Sequence, residues 1–175
     1  MKYYRLTISE FVRTRIQAPG LISDTYKPNI SAEEFEKMPK GIVAYYHYSE
    51  EVEVTDLLTE PTLMVSPALK KVLTLYNEAI EAKSVKLFAL EDEIDIAPEY
   101  WVLNVPEVDC LSDEVKFQPN GTVEKLILLR NAIGKEDVFK VRGTLENFMI
   151  ISTAVVESIL RRKLYGVGFE EVEIK

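Results

Sequence analysis

The chain has 175 residues, 47% of them apolar and 29% charged, which suits one domain whose core holds without a metal or disulfide staple. Its 21 basic against 29 acidic side chains leave a net charge of −8, which argues against nucleic acid and anionic membrane surfaces as partners. Cys110 is the only cysteine, so no internal disulfide forms, and no apolar run is long enough to span a bilayer.

The opening MKYYRLTISEF alternates as a strand over residues 2–8 and lacks the apolar stretch of a secretion signal, so a cytoplasmic location is expected. Residues 13–30 have no period and carry Pro19-Gly20 and Pro28, which predicts an irregular N-terminal part, about 10–60, within a single domain 1–175. Ser31 followed by Glu34 matches a capping box and predicts a short helix through about Met38, stopped by Pro39 and Gly41. IVAYYHY (Ile42–Tyr48) is β-branched and aromatic, as a strand requires.

Two later segments share one pattern. TLMVSPALKKVLTLYNEAI from Thr62 and NFMIISTAVVESILRRKLY from Asn147 each read as an apolar strand, a serine (Ser66, Ser152) and an amphipathic helix. A further strand follows each, VKLFAL from Val85 and VGFEEVEI from Val167. Both serines are expected as helix N-caps, and Pro67 suits the first helical position. Leu69, Val72, Leu73, Tyr76 and Ile80 form one apolar stripe; Val155, Val156, Ile159, Leu160 and Leu164 form the other. Arg161, Arg162 and Lys163 suit the negative end of the second helix dipole, with Gly166 as its left-handed cap. Between these segments YWVLNV (Tyr100–Val105), VEKLILL (Val123–Leu129) and VFKVRG (Val138–Gly143) predict strands. The expected class is α+β: a mixed, mostly antiparallel sheet with two main amphipathic helices in duplicated strand–Ser–helix–strand units.

Reactive chemistry finds few candidates. His47 is the single histidine, and Cys110 beside Asp109 is its one conceivable catalytic companion. The plainer reading is a histidine at the sheet surface and an inert cysteine whose acidic neighbour raises its pKa. One Cys and one His do not make a zinc site, and EDEID (Glu91–Asp95) lacks the glycine and last glutamate of a calcium loop. No metal or cofactor is expected. GVG at Gly166 follows a helix, whereas a dinucleotide loop precedes one.

The acidic runs offer more. Residues 50–60 (EEVEVTDLLTE) and 91–99 (EDEIDIAPE) each hold five carboxylates and no Lys or Arg. Glu51 and Glu53 alternate with Val52 and Val54, so a strand there would show carboxylates on one face. If the runs share a face, Glu50, Glu51, Glu53, Asp56, Glu91, Asp92, Glu93 and Asp95 form a patch for a basic protein partner; otherwise they are solvated loops. Trp101 and Tyr100 are either interface anchors or core residues of an apolar strand.

YWVLNV running into VDCLS (Val108–Ser112), then VEKLILL, DVFKVRG (Asp137–Gly143), the Ser152 helix and the closing YGVGFEEVEI stand in an order that resembles a family of bacterial immunity proteins. It is the immunity protein 11 family of polymorphic toxin systems, typified by a myxobacterial protein. The resemblance covers about 61–174, and MKYYRL is similar to the family's opening strand. It implies a cytoplasmic, non-enzymatic protein that binds a cognate toxin and neutralises it by steric occlusion, with no catalytic residue to carry over. A structural or adaptor module of a secretion or phage-like system, and an enzyme resting on His47 and Cys110, are the alternatives.

Overall fold

Alternation at the start of the chain does make a strand: β1 (Tyr3–Ile8) buries Tyr3 on one face and Leu6 on the other. The computed structural model describes residues 1–18, 27–91 and 93–175, and the expected Pro19-Gly20 turn lies outside them. α1 (Ala32–Lys37) opens on the Ser31–Glu34 capping box and ends at Met38. β2 (Gly41–Tyr46) follows. β3 (Leu57–Leu58) and β4 (Met64–Val65) lead into α2 (Pro67–Tyr76), and β5 (Glu81–Ala89) and β6 (Glu99–Asn104) complete this half.

Beyond it come β7 (Glu107–Val108), β8 (Lys116–Phe117), β9 (Val123–Lys125), β10 (Ile127–Leu128) and the single-turn α3 (Arg130–Ile133). VEKLILL, expected as one strand, is therefore two: β9 pairs with β8, while β10 pairs with the C-terminal β14 (Glu173–Ile174). β11 (Val138–Val141), β12 (Met149–Ser152), α4 (Thr153–Arg161) and β13 (Val167–Glu171) make up the rest.

Two five-stranded sheets result, ordered β13-β1-β12-β11-β7 and β2-β5-β6-β4-β3. β2–β5, β7–β11 and β10–β14 are parallel and the other pairs antiparallel, so the fold is α+β with mixed sheets. In the second sheet β6 runs antiparallel to both β4 and β5, which makes those two parallel and α2 the crossover between them. In the first sheet β1 stands in the same way between β12 and β13, with α4 as the crossover. The likeness is one of connection; the outermost strands of the two sheets differ.

Three apolar clusters follow from the two faces of each sheet. The first lies between the sheets and the two long helices, joining Leu6, Val138 and Ile151 to Leu57, Val65, Leu69, Leu73, Val155 and Ile159. α2 and α4 touch, and Tyr76 Oη donates to the Ala154 carbonyl at 3.3 Å. The second cluster joins the far face of the second sheet to Phe35 of α1 and to Ile16, Ala18 and Ile30. The third covers the far face of the first sheet with Cys110, Leu128, Ile133 and Val172.

The predicted stripes hold in part: α2 ends at Tyr76 and α4 at Arg161, so Ile80 and Leu164 pack on the first cluster from beyond the helices. Leu69, Val72 and Leu73 are buried on α2, as are Val155, Val156 and Ile159 on α4, but Leu160 is 61% exposed because the α2 contact lies on the other side. Two cap expectations also change. Ser66 Oγ accepts the Leu69 N–H at 3.1 Å, whereas Ser152, though at the N-cap, makes no such bond and its buried Oγ has no partner. The left-handed residue ending α4 is Lys163, at φ 54°, rather than Gly166. Gly166 (φ +77°) turns the chain against Thr55, where an added Cβ would come within 2.5 Å of that side chain.

Candidate partner-binding surface

β2 and β5 are parallel and in register, so both strands finish at the same end of the second sheet and both acidic runs begin beyond that end. There Leu90 N–H donates to the Tyr46 carbonyl at 3.0 Å, and Tyr48 N–H to Glu91 Oε2 at 2.9 Å. Glu91 Oε1 also lies 3.6 Å from His47 Nδ1. The Tyr48 amide first, then Glu91's own amide and His47, hold the Glu91 carboxyl below the ordinary carboxylate value against the opposing effect of burial. Glu50, Glu51, Glu91, Glu93 and Asp95 are exposed around this end; Asp92 lies outside the described residues.

Glu53 and Asp56 serve the chain itself. Residues 50–56 do not form the alternating strand expected of them. Glu53 Oε1 accepts the Arg13 N–H at 2.8 Å and the Thr14 N–H at 3.4 Å, and Oε2 accepts from Tyr165 Oη. Asp56 accepts from Ser66 Oγ at 2.5 Å and from the Tyr165 N–H at 2.6 Å. These carboxylates tie the N-terminal segment, the start of α2 and the turn before β13 together, so their charge is engaged within the chain.

Tyr100 is a core residue, 1% exposed, and its hydroxyl donates to the Thr55 carbonyl at 2.7 Å; burial pushes its pKa up. Trp101 is half-buried against the first cluster with Lys70 Nζ 3.5 Å from its ring centroid, so both aromatics pack on the core.

His47 and Cys110 sit in different parts of the molecule. His47 is exposed beyond β2, while Cys110 is 1% exposed in the third cluster behind the first sheet. Burial first, and Asp109 second, push the thiol up to about 11, so it stays protonated at neutral pH. The acidic neighbour acts as expected from sequence, but desolvation is the larger cause. Two surface grooves, of about 320 and 570 Å³, flank Arg5 with Phe148 and Phe35 with Lys83, and neither includes His47 or Cys110.

Two features escaped the sequence. Lys140, expected only as part of a strand, is 5% exposed and donates to Asn29 Oδ1 and the Ile30 carbonyl at 3.1 Å while pairing with Glu107 at 3.0 Å. It fastens the end of the irregular N-terminal part to the first sheet. The other is an apolar row left bare on the second sheet: Val43 is 62% exposed, Tyr45 50% and Phe88 41%. A signal for it existed, because β2 reads Ile-Val-Ala-Tyr-Tyr and is apolar on both faces.

Among the described residues no helix is long and apolar enough to cross a membrane. No curated protein matches the sequence. A family model described as the immunity protein family Imm11 matches residues 11–174, and so reaches well N-terminal of Pro61, where the resemblance read from sequence began. With nearly the whole folded region spanned by that one match, the chain belongs to the Imm11 immunity protein family.

Proposed function

We propose that this protein binds a cognate bacterial toxin in the producing cell's cytoplasm and neutralises it by covering the toxin's working surface. The match to an immunity family over residues 11–174 carries this reading. The placement of reactive groups supports binding over catalysis: the one thiol is buried and protonated, far from the exposed histidine's surroundings. Net charge supports a basic partner, since an excess of eight negative charges accelerates encounter with a positive surface and disfavours nucleic acid. The carboxylates gathered where β2 and β5 end supply that charge locally.

The test is co-expression with each toxin-like domain found encoded next to this protein's gene. Growth is expected to be rescued, and the purified toxin's activity should fall one-for-one with added protein, as occlusion requires. Continued growth arrest with no complex formed would overturn the proposal. Inhibition by far less than stoichiometric protein would instead mark an enzymatic mode of protection.

A further inference from the structure

The face of the second sheet that packs on α2 is only partly covered. α2 lies over β4 and β6, meeting Val65 and Trp101, and Lys70 closes over the Trp101 ring. Further along the same face, β5 and the edge strand β2 carry Val43, Tyr45 and Phe88, which stay 62%, 50% and 41% exposed, with no helix among the described residues packed on them. Tyr45 stands opposite Phe88 in the β2–β5 register, and their rings lie 6.4 Å apart at 44°. Val43 stands opposite Lys86, which in turn faces Glu99 on β6.

Edge strands that have no partner are ordinarily blunted by an outward charge, a proline or a bulge. β2 has none of these: its outward positions are Gly41, Val43 and Tyr45, and it is paired only with β5 among the described residues. Two aromatic rings side by side on a rigid strand pair are the arrangement from which interface anchors are made, being large, apolar and already ordered. Directly beyond the strand ends lie the exposed carboxylates of Glu50, Glu51, Glu91, Glu93 and Asp95.

We infer that the Val43–Tyr45–Phe88 row is the anchoring centre of a protein-docking surface, rimmed by these carboxylates, and that its occupant is a protein presenting an apolar hollow ringed by Lys and Arg. The charge selects the occupant. A second copy of this chain would set one acidic rim against another, whereas a basic partner neutralises it. The inference rests on the toxin-binding reading and adds the surface through which it operates.

The probe is a toxin domain found encoded next to this protein's gene, purified and inactivated, and binding rates are measured at low and physiological salt. Tyr45→Ala combined with Phe88→Ala should weaken binding by on the order of 100-fold, chiefly through faster dissociation. Glu50→Gln, Glu51→Gln, Glu93→Gln and Asp95→Asn together should slow association and flatten its salt dependence. Leu160→Ala, an equally exposed apolar change on α4, should alter neither rate. All three variants change exposed groups, so unchanged melting temperatures confirm that each is folded. Wild-type affinity in the Tyr45/Phe88 variant would overturn this surface and leave the toxin-binding reading standing. Failure of the wild-type chain to bind the domain would overturn both. Concentration-dependent dimerisation of the wild type, abolished in the Tyr45/Phe88 variant, would assign the row to a second copy and also overturn the inference.

Discussion

The two sheets share a connection but solve the start of their helix differently. In the second sheet Ser66 does the work locally: its Oγ accepts the Leu69 N–H and donates to Asp56 Oδ1 at 2.5 Å. In the first, the free N–H of Thr153 and its hydroxyl both go to the Lys2 carbonyl at 3.1 Å, while Ser152 Oγ is left buried with no partner. The residue just before β1 thus accepts the first N–H of α4, a different donor from the one Ser66 takes in α2. The sheets differ in their cover as well. The first is packed on both faces, by the helices on one and, save for the groove at Arg5, by the third cluster on the other; the second leaves Val43, Tyr45 and Phe88 exposed. One connection thus yields a more fully packed sheet that braces the molecule and a more open one that offers a surface.

The largest effect should come from the core the sheets have in common. Leu69 on α2 and Ile151 on β12 are both fully buried in it. Leu69→Ala and Ile151→Ala are each expected to cost about 2–5 kcal/mol, the range for emptying a well-packed aliphatic site. Because the core is shared, denaturant unfolding of each variant should remain one transition with the midpoint lowered. A variant in which one sheet's signal melts early, while the other's midpoint stays at the wild-type value, would show that the sheets are energetically separate.

The serine pair sharpens the contrast at smaller scale. Ser66→Ala removes a helix cap and leaves Asp56 short of a donor, so a loss of about 1–2 kcal/mol is expected. Ser152→Ala removes a buried hydroxyl that bonds to nothing, and should change stability by less than ~0.5 kcal/mol or raise it. Equal losses at the two serines would mean that Ser152 caps α4 after all.

What the sequence disclosed was the chemistry that is complete within a few residues. The Ser31–Glu34 box, the Ser66-Pro67 start and the alternation of β1 each carry their own partners or period. The α+β class follows from those elements. Ser152 stands at the N-cap as its sequence suggests, but its hydroxyl caps nothing, and the start of α4 is tied instead to Lys2, about 150 residues away, a pairing that exists only once β1 lies beside β12. Glu53 was misread for the same reason: alternation with Val52 and Val54 points to a strand, but its carboxylate is claimed by the amides of Arg13 and Thr14. As for the surface, the individual carboxylates were visible in the sequence. That both runs start beyond one end of a sheet was not, because it follows from the parallel register of β2 on β5. The bare aromatic row depended on how far α2 extends over the sheet, which no local pattern encodes.

The smallest expected effect lies at α1, which belongs to the open sheet's outer layer. Glu34 accepts from the Ser31 N–H at 2.8 Å and pairs with Lys27 at 2.5 Å. Lys27 first, and the Ser31 amide second, hold its carboxyl at about 2 against an ordinary 4.5. A depressed carboxyl stabilises the fold above its unfolded value, and that contribution disappears as pH falls through the folded one. The window is therefore from about 4.5 down to about 2, with the full effect present at neutral pH. The group is solvent-exposed, so screening keeps the contribution small. Glu34→Gln should be slightly less stable than wild type at pH 7, and the gap should narrow as the solution is acidified through that window. Glu33, whose ion pair with Lys37 is made across solvent-exposed side chains at 2.6 Å, supplies the control, since Glu33→Gln removes an ion pair but no cap. A Glu34 gap that stays constant with pH would show that the box holds α1 through its geometry and not through the charge on Glu34.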